Sequence, residues 1–85
     1  MKLSEAQRKW LTHLRDHGPD SSRNMTGYFC RKNGLTEWVC RDKASKEVLG
    51  VSEARQFYPE DFWSRIEFLG ETERITPAGI KALEG

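Results

Sequence analysis

The sequence predicts a small α+β domain of three to four short helices with a two- to three-stranded antiparallel sheet, and three observations predict it. Two helix starts carry local capping chemistry, at Ser4 and at Thr76. A short run rich in strand formers, Thr36-Glu37-Trp38-Val39-Cys40-Arg41, lies between helical patterns. The 85 residues, 9.9 kDa in all, suffice for one small core. We therefore read residues 1–85 as a single domain.

The first helix opens at Ser4, with Gln7 three positions on to complete a capping box. Ala6, Trp10 and Leu14 recur every four residues beside Leu11, and Gly18-Pro19 stops the helix near His17. A second helix runs from about Ser22 to Asn33, where Met25 and Phe29 lie one turn apart and Gly34 offers a left-handed exit. With Met25 and Phe29 turned inward, about 100° per residue places Arg23, Asn24, Gly27 and Arg31 on the outward side. The strand at 36–41 follows. Residues 42–61 read as an irregular segment with a strand return at 47–51 and a short helix at 52–57. From Trp63 to Leu69 the apolar spacing fits helix or strand. A Gly70-Glu71 turn of type II′ favours a hairpin, pairing Leu69 with Thr72, Glu67 with Arg74 and Ile66 with Ile75. In the last helix Thr76 is the N-cap, Pro77 is N1, and Ile80 and Leu83 form the inward edge.

Composition narrows the function classes. With 36% apolar and 32% charged residues and a mean hydropathy of −0.76, the chain is globular rather than disordered, and no stretch approaches a membrane span. Met1 to Glu5 has no apolar signal region, which predicts a cytoplasmic protein without a membrane partner. Cys30 and Cys40 are too few for a disulfide framework or a zinc site, so both are expected reduced and buried. Charge is uneven. Residues 21–46 carry six basic and two acidic side chains, whereas residues 47–85 carry four and eight. A basic middle block points to an anionic partner.

The segment Glu73-Arg74-Ile75-Thr76-Pro77-Ala78-Gly79-Ile80-Lys81-Ala82-Leu83 resembles the end of the wing and the following helix in winged-helix DNA-binding domains of bacterial and phage regulators. The opening Leu3 to Leu14 and the step Asn33-Gly34-Leu35-Thr36-Glu37 resemble the first helix and the recognition-helix exit of the same domains. The resemblance implies a winged-helix-like domain, with residues 42–61 as an insertion, that binds duplex DNA as a transcriptional regulator of phage or prophage type. Arg31 and Asn24 would then read bases, while Arg23, Lys32, Arg41, Lys43 and Lys46 would neutralise phosphates.

A second reading comes from Phe57, Tyr58, Phe62 and Trp63, four aromatic residues within seven positions. If exposed, they form an anchor patch for a protein partner. Catalysis has no comparable signal, and no enzyme, cofactor or metal is expected. His13 and His17 are one turn apart, but Leu14 stands where a zinc protease carries its glutamate, and no glycine-rich phosphate loop is present.

Overall fold

The computed structural model describes residues 2–22 and 24–85, and the elements named here come from those residues. They are α1 (Glu5–His17), β1 (Asp20–Ser21), α2 (Met25–Lys32), β2 (Thr36–Asp42), β3 (Val48–Gly50), α3 (Val51–Phe57), α4 (Phe62–Arg65), β4 (Ile66–Ile75) and α5 (Pro77–Glu84). The α+β class is as expected, with more helices and strands than the sequence announced. Both sharp caps form. Ser4 accepts from the Gln7 amide at 3.2 Å while Gln7 Oε1 accepts from the Ser4 amide at 2.8 Å. Thr76 Oγ1 accepts from the Gly79 amide at 3.1 Å and donates to the Gly34 carbonyl at 2.6 Å, so the start of α5 is tied to the exit of α2.

The sheet is antiparallel with order β1-β4-β2-β3. Its centre is the β2–β4 ladder, where Thr36 faces Ile75 and Glu37 faces Arg74 at one end, and Arg41 faces Glu67 and Asp42 faces Ile66 at the other. The expected hairpin across Gly70-Glu71 is therefore not formed. Residues 66–75 are one strand with an irregularity opposite Trp38 to Cys40, and Gly70 takes φ +65° there. A turn at Gly70 would satisfy only the backbone groups of β4 itself. Pairing with β2 also satisfies those of β2, and it buries Ile66 and Glu73.

The hairpin that does form joins β2 to β3 through residues 43–47, with Cys40 facing Leu49. Residues 42–61, expected as an insertion, build β3 and α3. They supply Leu49, Ala54, Val51 and Tyr58 to an apolar cluster with Cys40, Phe62 and Ile66. A second cluster, Leu3, Leu11, Cys30 and Leu35 with Trp10, Ile75, Ala82 and Leu83, lies under α1, α2 and α5. The clusters sit at opposite ends of the β2–β4 ladder, in a body measuring 38 × 21 × 20 Å. In α5 the expected inward edge is corrected at Ile80, which is exposed. The buried residue there is Gly79, whose missing Cβ lets the Leu35 carbonyl approach.

Candidate functional site

Helix α2 was expected to present its basic side, and it is rolled the other way. Gly27 and Cys30 are buried, while Met25, at 74% exposure, Tyr28 and Phe29 face outward. The cause is steric and electrostatic. A Cβ at Gly27 would run into Ser22 and the Glu73 carboxylate, so only a glycine face can come this close to β4. Glu73 is fully buried and needs a cation, and Arg31 supplies it: Nη1 donates to Oε1 at 2.6 Å, with the guanidinium 3.9 Å from the Trp38 ring centroid.

Arg31, expected to read bases, is spent on Glu73 and Trp38. Asn24, the other expected reader, is the N-cap of α2: its Oδ1 accepts from the Gly27 amide at 3.2 Å and from the Ser22 hydroxyl at 2.9 Å. Arg23 lies outside the described residues. Lys32, Lys43 and Lys46 are exposed, the latter two in the β2–β3 turn, where Lys46 takes the left-handed φ of +67°. Arg41 is half-buried with Glu67 at 4.0 Å. The aromatic segment divides as well. Phe57 and Trp63 are exposed at 62% and 68%, whereas Phe62 belongs to the core. Tyr58 packs on the same cluster and donates its hydroxyl to Asp42 Oδ2.

Asp42 organises the β2–β3 turn, with Oδ1 accepting from the amides of Ala44 at 2.8 Å and Ser45 at 3.0 Å. The Tyr58 hydroxyl, with these amides behind it, holds the carboxyl below the usual carboxylate range. The same bond raises the Tyr58 phenol. Burial pushes the Cys30 thiol up to about 11, with the Glu73 charge adding to it, and burial raises Cys40 too. Among the described residues no group of three or more His, Cys, Asp or Glu could hold a metal ion, and no helix is long and apolar enough to cross a membrane. His13 pairs with Asp20 at 2.7 Å, fastening α1 to β1.

Beside the exposed face of α2 lies an open cleft of about 660 Å³, bounded by the end of α2, by β2 and by α3. Tyr28 and Trp38 provide ring surface, and Lys32 and Arg55 bring charge to its edge. The carboxylate that lines it among the described residues, Glu37, is already occupied: Ser52 donates to Oε1 from its amide at 3.2 Å and its hydroxyl at 2.8 Å, and Arg74 lies 3.8 Å from Oε2.

Sequence reasoning missed Trp38, Glu73 and the outward Met25-Tyr28-Phe29 face. One signal was available for the last. Gly27 and Cys30, small and three apart, mark a face built for close approach, which forces Met25 and Phe29 outward. No family of proteins, no curated protein and no solved structure matches this chain.

Proposed function

We propose that the domain is a protein-interaction module whose docking face is the outer side of α2. The observation that carries this reading is the exposure of Met25, Tyr28 and Phe29 at positions i, i+3 and i+4 of one helix. Their opposite side, Gly27 and Cys30, is buried in the domain. A helix with large apolar side chains on one face and a packed apolar face behind belongs between two layers, and this chain supplies one of them. Methionine and aromatic side chains are the types enriched in interface centres, and each returns about 25 cal/mol per Å² of apolar surface that a partner covers. The proposed aromatic anchor thus moves from residues 57–63 to α2, with Phe57 and Trp63 as separate exposed rings. The reading supposes a reducing compartment such as the cytoplasm and requires no catalysis or cofactor.

The test is selection of binders from a displayed random-peptide library on the intact domain, with Met25→Asp/Phe29→Asp as counter-target. Both side chains are outside the core, so the variant keeps its fold by circular dichroism. Peptides that bind the parent and are lost by the variant support the reading. Peptides held equally by both place docking elsewhere. Sedimentation showing that the chain alone pairs through this face would replace a separate partner by a second copy.

Duplex DNA remains a second reading because of one feature: α2 leads directly into the β2–β3 hairpin, whose turn exposes Lys43 and Lys46 without an acidic partner among the described residues. A helix followed by a hairpin whose turn carries two lysines is the winged-helix order, with the wing at 36–50 rather than at 66–75. It supports phosphate contact, but the expected base readers are engaged within the fold. Duplex affinity that falls steeply with salt and is lost in Lys43→Glu/Lys46→Glu would favour this reading over docking on α2.

A further inference from the structure

The cleft beside α2 carries an excess of unspent positive charge. Of the three cations that line it among the described residues, Arg31 is held by Glu73, while Lys32 and Arg55 have no carboxylate partner there. Arg55 rests over the Phe62 ring at 4.7 Å, a contact that positions the guanidinium without neutralising it. Glu37, the only acid on the wall among the described residues, is engaged by Ser52 and Arg74. A second observation is independent of charge: Thr36, on the floor of the cleft, is almost wholly buried, and its Oγ1 has no hydrogen-bond partner among the described residues. A buried hydroxyl left unpaired keeps an uncompensated desolvation cost, so this wall of the cleft retains capacity for a further polar partner.

We infer that this cleft takes an acidic residue of a docking peptide, its carboxylate between Lys32 and Arg55 and the adjoining apolar side chain against Tyr28 and Trp38. The inference rests on the reading of α2 as a protein-docking face and adds the partner's chemistry: an apolar segment that covers Met25 and Phe29 and continues into an Asp or Glu. Tyr28 joins the two surfaces, since it stands on the exposed face of α2 and lines the cleft. The charges also exclude partners. A segment with Lys or Arg at that position would bring a third cation to two that are already uncompensated.

The experiment uses the displayed random-peptide library on the intact domain. Sequences retained by the parent should be enriched in Asp or Glu beside an aromatic or aliphatic residue. A synthetic peptide of the selected sequence should bind at least about tenfold more weakly to Arg55→Glu and to Lys32→Glu, and its affinity should fall as salt rises. Changing the peptide acid to Lys should restore binding to Arg55→Glu, a charge swap that no loss of folding can imitate. Selected peptides that lack acid enrichment but are lost by Met25→Asp/Phe29→Asp would leave α2 as the docking face and overturn the inference about the cleft. A library that yields no binder overturns both. Displacement of the peptide by duplex DNA, with duplex binding lost in Arg55→Glu, would assign the cleft to nucleic acid and overturn the peptide.

Discussion

Arg31 and Glu73, 42 positions apart, form an ion pair at 2.6 Å in which the carboxylate is wholly buried and the guanidinium lies on Trp38. The pair fixes the roll of α2 about its axis. It thereby decides that Met25, Tyr28 and Phe29 face out.

Removing the cation alone leaves a buried charge uncompensated. Arg31→Met should therefore lower the unfolding free energy by about 3–5 kcal/mol, and Arg31→Met/Glu73→Gln should recover a large part of it. Urea denaturation measures both. A single variant as stable as the parent would show that the pair does not hold the helix.

The two helical glycines should respond against propensity. Ala normally stabilises an exposed helix by about 1 kcal/mol relative to Gly. Here a Cβ at Gly79 meets the Leu35 carbonyl, and one at Gly27 meets Ser22 and Glu73. Gly79→Ala and Gly27→Ala should lower Tm, with Gly79 the more severe because backbone is the obstacle. An unchanged or raised Tm in either would contradict the close approach.

Stability should depend on pH through Asp42 and Tyr58. The Asp42 carboxyl is held low by the Tyr58 hydroxyl first, so its contribution is present above the unfolded value of about 3.9 and is lost as pH falls through the lower folded value. The Tyr58 phenol is raised by the same bond, so its contribution is present below about 10 and is lost as pH rises through the higher folded value. Asp42→Asn should flatten the acid limb of a Tm-against-pH curve, and Tyr58→Phe should flatten the alkaline limb. Limbs unchanged in both variants would rule this pair out as the source.

The thiols give a measure of opening. Cys30 and Cys40 are fully buried, and Cys30 is raised to about 11, so neither presents thiolate at neutral pH in the folded chain. A maleimide should leave both unmodified in native buffer and modify both in denaturant, as followed by mass spectrometry. Rapid native labelling of either would show that its cluster opens readily.

What the sequence revealed was what local chemistry decides. Ser4 with Gln7 and Thr76 with Pro77 state their helix starts within four residues, and both starts were correct. The roll of α2 had one local signal, the small pair Gly27 and Cys30, but its electrostatic cause lies in Glu73, a residue on another element whose burial no local pattern announces. The strand at 66–75 was misread for a related reason: a glycine with positive φ suits both a tight turn and an irregular strand, and the choice lay with β2, some thirty residues earlier. The two expected base readers are engaged within the fold together, since Asn24 and Arg31 flank the turn of helix that Gly27 brings against the sheet.

The β2–β4 ladder has a consequence for how the chain can be divided. β4 is the sheet partner of both β1 and β2, and its ends reach both apolar clusters. A break in the exposed 43–47 turn would give one piece holding α1, α2 and β2 and another holding β4 and α5. Neither would own a floor for its helices. The two pieces should be unstructured apart and fold on mixing, which makes that turn a natural point for a split-protein complementation assay.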